Sequence, residues 1–155
     1  MRLYAYLARD TPGLTKKRYT IGMDGHRDYS HRSLFDKLGV RAGHRVALVG
    51  KHDDGFVREL DNRLAKGASP RLRARYDIIF LKIDVAGDLA SIEVAAAHLE
   101  MDGVLWIFHP KGRAADPKDG DVRAAGLAAG LVDNKISAYS ETHTATRYVI
   151  PLANR

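Results

Sequence analysis

Chemically capable residues gather in three short stretches of the chain. Gly50-Lys51-His52-Asp53-Asp54-Gly55 combines two glycines with an imidazole, an ammonium group and two carboxylates. Asp84 and Asp88 form the second stretch, and His109, Lys111, Gly112 and Arg113 the third. Carboxylates and imidazoles suit proton transfer or a divalent cation, whereas lysine, arginine and glycine backbone N–H groups suit an anion. His52, Asp54, Asp84 and His109 make an acceptable cation set by type. They lack a local spacing such as His-Glu-x-x-His, and loops rich in Asp, His and Gly commonly just form turns, so no metal is assigned. A small-molecule or anion site using Lys111, Arg113 and glycine N–H groups is the better expectation.

Several other chemistries fall away. The chain has no cysteine, which excludes disulfides, thiolate nucleophiles and Cys-based metal sites. It has no Gly-x-Ser-x-Gly elbow, and Ser69 sits in a Gly-Ala-Ser-Pro loop. Gly50 and Gly55 have the spacing of a phosphate-binding loop, but Phe56-Val57 stand where Lys-Ser/Thr would reach phosphate and magnesium. Asp53 and Asp54 would also repel a polyphosphate.

The 155 residues suit one compact domain. Lys and Arg number 25 against 19 Asp and Glu, a net +6 with His neutral. Residues 1–22 carry Arg2, Arg9, Lys16, Lys17 and Arg18 against Asp10 alone, and the remainder is nearly balanced. So even a body lacks the broad positive surface of a nucleic-acid binder, and the run Lys16-Lys17-Arg18-Tyr19 reads as solvated. Arg71, Arg73 and Arg75 read likewise as linker charge. Met23 offers a second start, and residues 1–28 are taken as a basic extension preceding a domain over 29–155. No apolar run is long enough to span a membrane, and no secretory signal is evident, so the expected location is cytoplasmic.

The elements that must position these residues follow from the apolar pattern. Val46–Val49, Ile78–Leu81 and Val104–Phe108 are continuous apolar runs, the pattern of strands covered on both faces in a parallel sheet. Phe56–Lys66, Asp88–Met101 and Asp121–Ala129 read as the intervening and following helices. Asp88 is expected to cap the second, Val122 and Leu127 to face inward from the third, and Gly67 and Gly130 to act as stops. His98 falls late in the second helix, near its C-terminal dipole. Ser33–Leu38 reads as a short leading helix, and Trp106 as core. Lys135–Ser140 and Thr146–Leu152, joined by the short polar stretch Glu141–Ala145, can pair only as an antiparallel hairpin. The expected fold is therefore α/β, a Rossmann-like three-layer sandwich of about five strands, three parallel plus the hairpin.

This order resembles the second half of a class I, Rossmann-like methyltransferase, with Arg45–Gly50, Tyr76–Asp84 and Gly103–Pro110 matching its first, fourth and fifth strands. Between the first two there is room for a single crossover, so the second and third strands are missing. The wording is closer still to a bacterial family catalogued as domain of unknown function 3052. The resemblance runs from Tyr29-Ser30 through Lys37-Leu38-Gly39-Val40, Arg45-Val46-Ala47-Leu48-Val49 and Asp102-Gly103-Val104-Leu105-Trp106. It continues through Arg123-Ala124-Ala125-Gly126-Leu127 and Gly130-Leu131-Val132-Asp133, covering roughly residues 29–152. Members share a Trp-Pro-Lys-like step where this chain has His109-Pro110-Lys111. That family has no assigned activity, so the resemblance implies a fold and no catalytic residue.

The methyltransferase likeness implies S-adenosylmethionine as a cofactor to be weighed. Such sites use closely spaced glycines in the first turn and an acid ending the second strand. Here the glycines are five apart, the second strand is absent, and Lys82-Ile83-Asp84-Val85 lacks the Asn/Asp-Pro-Pro-aromatic step of amino-methylating members. The expectation is a domain that binds a ligand or partner without standard methyl transfer. The alternatives are a minimal methyltransferase with a rebuilt cofactor pocket and a module that self-pairs through the hairpin edge. Ligand binding is expected at Gly50, Lys51, His52, Asp53, Asp54, Gly55, Asp84, His109, Lys111 and Arg113, at the carboxyl ends of the parallel strands.

Overall fold

A computed structural model of the chain describes residues 34–155. The basic extension over 1–28 and the Lys16-Lys17-Arg18-Tyr19 run lie outside the described residues.

The three apolar runs become β1 (Val46–Val49), β2 (Tyr76–Lys82) and β3 (Leu99–Pro110). They pair in parallel, with Val46 opposite Ile78, Phe80 opposite Trp106 and Lys82 opposite Phe108. Each run is apolar throughout because alternate side chains enter different cores. Val46, Ile78, Phe80, Trp106 and Phe108 pack with Phe35 and Leu38 of a short helix, α1 (residues 34–38), and with Phe56 and Leu60 of α2 (Asp54–Arg63). Ala47, Ile79, Leu81, Leu105 and Ile107 pack instead with Ile92 and Ala95 of α3 (Ala90–Ala96) and Val122 of α4 (Asp119–Ala128). β4 (Val132–Ala138) and β5 (His143–Val149) form the hairpin, β5 running antiparallel to both β3 and β4. The five-stranded order β1-β2-β3-β5-β4 is the three-layer α/β arrangement expected from the sequence.

The crossover from β1 to β2 leaves only a trace of a further strand. Ser69 lies along the outer edge of β1, where Leu48 N–H donates to Ser69 O and Ser69 N–H to Val46 O, both at 2.8 Å. Beyond it, Arg71 and Arg73 are exposed, while the Arg75 guanidinium donates to Leu99 O at 2.9 Å.

Four expectations are corrected. α3 is shorter than Asp88–Met101 because Tyr76 N–H takes the His98 carbonyl at 2.8 Å and Leu99 joins β3 opposite Tyr76. Outside the helix, His98 ties its Nδ1–H to Ala74 O at 2.6 Å. Asp88 does not cap α3; its carboxylate accepts the N–H groups of Asp84 (2.9 Å) and Val85 (3.1 Å) and closes the turn before it. Leu127 is 56% exposed, and Gly126 faces inward instead, where a Cβ would stand 2.6 Å from the Tyr148 ring. β5 starts at His143 rather than Thr146, because Pro110 to Phe108 continue the ladder opposite His143 to Ala145. The turn before it is held by Ser140 Oγ, which accepts the His143 N–H at 3.0 Å. Among the described residues, no helix is long and apolar enough to cross a membrane.

Candidate functional site

Three parallel strands bring their carboxyl ends to one edge, and an antiparallel neighbour brings its first residue to the same edge. At the end of β1 the chain must turn sharply against β2. Gly50 adopts φ +92°, and a Cβ there would lie 2.5 Å from the Lys82 carbonyl oxygen, so glycine is required by sign of φ and by space. The next turn folds the His52 ring back onto the sheet. Its Nε2–H donates to Val49 O (3.0 Å) and Phe80 O (2.9 Å), which fixes the tautomer. The ring stacks on Phe56 and meets Phe108 edge-on, both with centroids 5.6 Å apart, and its Nδ1 is buried without a partner. Burial lowers the His52 pKa below 6.5 despite the two carbonyls that favour its charged form. His52 is thus a neutral structural ring beneath the edge.

Asp53 and Asp54 open α2 and are exposed, as is Lys51. The Asp53 side chain does not cap the helix; its Oδ2 accepts the Tyr139 hydroxyl at 3.4 Å. Burial, reinforced by the Asp53 charge, raises the Tyr139 pKa and keeps that hydroxyl a donor. Gly55 lies within the first turn of α2.

The end of β2 carries the most connected polar cluster. Asp84 Oδ1 accepts His143 Nε2–H at 2.8 Å and lies 3.8 Å from Lys82 Nζ. Ile83 O takes a second bond from the same His143 nitrogen at 3.1 Å, so Nδ1 is left as the acceptor. The Thr142 hydroxyl donates to it at 2.8 Å. The His143 side chain is only 11% exposed and that of Asp84 42%, so the chain of contacts runs from interior to surface. A carboxylate behind an imidazole whose far nitrogen meets an exposed hydroxyl is an arrangement able to receive a proton.

His109, at the end of β3, is buried. Its Nε2 bonds the Thr146 hydroxyl at 2.8 Å. Nδ1 lies 3.4 Å from Asp119 Oδ1 without a hydrogen-bond alignment. Burial lowers its pKa, with Asp119 opposing in part. Lys111, Gly112 (φ +101°) and Arg113 follow on an exposed loop, where Lys111 N–H donates to Thr142 O at 3.0 Å.

Of the residues singled out in the sequence, Lys51, Asp53, Asp54, Asp84, Lys111 and Arg113 are exposed at the carboxyl edge, while His52 is half-buried and His109 buried beneath it. His52, Asp54, Asp84 and His109 do not come together as a cation set. Among the described residues, no group of three or more His, Cys, Asp or Glu side chains could hold a metal ion. Lys82, Tyr139, Thr142 and His143 escaped the sequence reading. The signal for His143 was present in principle, because a closing antiparallel strand must start where the parallel ones end.

With a mixed sheet, helices on both faces and a polar cluster beyond the parallel strand ends, the chain has a methyltransferase-like Rossmann fold. It is similar to the magnesium protoporphyrin IX methyltransferase of Synechocystis PCC 6803 with bound SAH, at TM-score 0.58 and 14% identity over 81% of this chain and 84% of that one. It is similar also to the mitomycin 7-O-methyltransferase MmcR, at TM-score 0.58 and 9% identity over 81% and 59% of the two chains. The CcbJ methyltransferase from Streptomyces caelestis gives TM-score 0.53 and 11% identity over 79% and 89%. No protein-family model matches the sequence, and neither does any curated protein.

Proposed function

We propose that the chain is a minimal S-adenosylmethionine-dependent methyltransferase with a rebuilt cofactor pocket, in which Asp84 and His143 take the proton of the acceptor. The fold supports this reading, and one observation carries it: the unbroken run of contacts Lys82–Asp84–His143–Thr142 at the carboxyl edge. The resemblance to domain of unknown function 3052 belongs to the same proposal.

The residues present fit an adenosyl ligand only in a rearranged form. Residues 66–75 carry no acid and pair with β1 only through Ser69, so no second-strand carboxylate is there for a ribose. Exposed Asp53 and Asp54 would take that role from the first turn, and Lys111 and Arg113 would hold the amino-acid carboxylate. When bound, the cofactor supplies a transferable methyl group. The chain's own part is proton handling. An acceptor hydroxyl passes its proton through Thr142 Oγ1 to His143 Nδ1, and Asp84 stabilises the resulting imidazolium through Nε2–H.

Calorimetric titration with S-adenosylmethionine and S-adenosylhomocysteine, coupled to turnover on a panel of small hydroxyl compounds, tests this. The expected result is micromolar binding weakened by Asp54→Asn, with turnover lost in Asp84→Ala, an exposed position, at a nearly unchanged melting temperature. Absence of binding by both compounds at millimolar concentration would sink the proposal. A second reading, a ligand-binding domain without methyl transfer, is favoured by the lack of a carboxylate over residues 66–75. It predicts binding dependent on Lys111 and Arg113 with no turnover.

A further inference from the structure

A cavity of about 560 Å³ opens at the other end of the sheet, by the amino ends of β2 and β3. That size lies within the range of about 300–1,000 Å³ usual for small-molecule sites. Its floor is apolar: Leu38 and Ile78 are buried there, and Val104 is half-buried. Its walls are cationic on two sides. Arg41 comes from the link between α1 and β1, and Lys135 and Arg147 from the β4–β5 hairpin. We propose that this cavity binds a small organic anion, one carboxylate on an apolar body, independently of the carboxyl-edge site.

The charges decide the class of ligand. Among the described residues, the Arg41 guanidinium has no hydrogen-bond or ion-pair partner; only its backbone N–H is engaged, with His44 Nδ1 at 3.1 Å. Arg147 commits one nitrogen, Nη1, to Asn134 Oδ1 at 3.1 Å. Two of the three acids of the lining are engaged. Asp77 Oδ2 accepts the Arg45 N–H at 2.8 Å, and Asp36 pairs with Arg63 at 3.1 Å. Asp102, the third, is exposed and has no hydrogen-bond or ion-pair partner among the described residues, so the uncommitted cations must outweigh one carboxylate. An uncommitted guanidinium beside an apolar floor selects a planar anion over a neutral ligand, because its fork matches a carboxylate with two parallel bonds. The apolar floor then favours a hydrocarbon body over a free inorganic ion.

The cavity has a built-in reporter. Trp106, the one tryptophan of the chain, donates its indole N–H to Leu38 O at 3.0 Å, and Leu38 lines the floor. Tryptophan fluorescence of the full chain, titrated with benzoate and with octanoate, should change saturably with at least one of them. Benzyl alcohol, the neutral control, should leave it unchanged. Arg41→Ala, at an exposed loop position, should weaken binding about tenfold, and Arg147→Met should do so comparably. Circular dichroism melting verifies each variant, and Arg41→Ala alone decides if Arg147→Met is unstable. Adenosylhomocysteine should not displace the anion, and its own failure to bind would count against the methyltransferase reading without touching this one. The proposal is overturned by no saturable response to either anion, by equal binding of benzyl alcohol, by full affinity in the deciding variants, or by displacement with adenosylhomocysteine.

Discussion

A buried histidine is stable in a fold only while it stays neutral, unless a partner compensates its charge. His52 spends its one N–H on Val49 O and Phe80 O and has a buried Nδ1 with no partner, so a second proton there would meet no acceptor. His52 is half-buried; His109 is buried outright, and Asp119 near its Nδ1 offsets the burial only in part. Both pKa values are lowered from 6.5 in the folded chain, while the unfolded chain protonates at the ordinary value. The stability these rings contribute is therefore complete above pH 6.5, declines as the pH falls through that value, and levels off below the depressed folded pKa values. Melting temperatures measured from neutral to mildly acidic pH should show that decline. His52→Phe keeps a ring against Phe56 and Phe108 and cannot titrate. It should melt lower at neutral pH, through loss of the two Nε2 bonds, but with a shallower fall on acidification. A slope as steep as that of the parent chain would exclude His52 as a source of acid sensitivity.

Within α4, two glycines make opposite predictions. A Cβ at Gly126 would stand 2.6 Å from Tyr148 Cε1, so Gly126→Ala must push helix and ring apart. Overpacking of this kind costs roughly 1–3 kcal/mol. Gly120, also in α4, has nothing within 4 Å of a Cβ, and Gly120→Ala should stabilise by about 0.5–1 kcal/mol through helix propensity. Urea unfolding of the two variants checks both signs, and a neutral Gly126→Ala would mean the α4–β5 contact yields without strain. The same helix shows why its facing was only half legible in the sequence, Val122 being buried as expected and Leu127 exposed. Its apolar pattern is mostly alanine, which marks no phase, and the side chain that sets the phase, Tyr148, lies on another element. The strands were legible because both their faces are covered, which leaves continuous apolar runs. Their ends were not, because partners remote in sequence set them, Tyr76 for His98–Leu99 and Pro110 for His143. The candidate site divides in the same way. Asp84, Lys111 and Arg113 could be placed from strand order alone, whereas Lys82, Thr142 and His143 needed the register of β3 with β5.

The two cores are not independent bodies, because every central strand serves both. On β3, Trp106 and Phe108 enter the layer of α1 and α2, while Leu105 and Ile107 enter that of α3 and α4. Losing either layer of helices would expose one face of the same strands and remove the backing that holds the other in register. Residues 34–155 should accordingly unfold as one cooperative unit. The two layers can be watched separately. Trp106 fluorescence reports the α1/α2 side, where the indole is wholly buried and bonded to Leu38 O. Far-ultraviolet circular dichroism weighs the α3/α4 side as well. In urea the two signals should give coincident transitions with a common slope of about 1–3 kcal/mol/M. If Trp106 became exposed at lower urea than the loss of helix, the α1/α2 layer would be a separate unit. The strand-end turn at Gly50, which that layer buttresses through Phe56 and His52, would then open without the rest of the sheet.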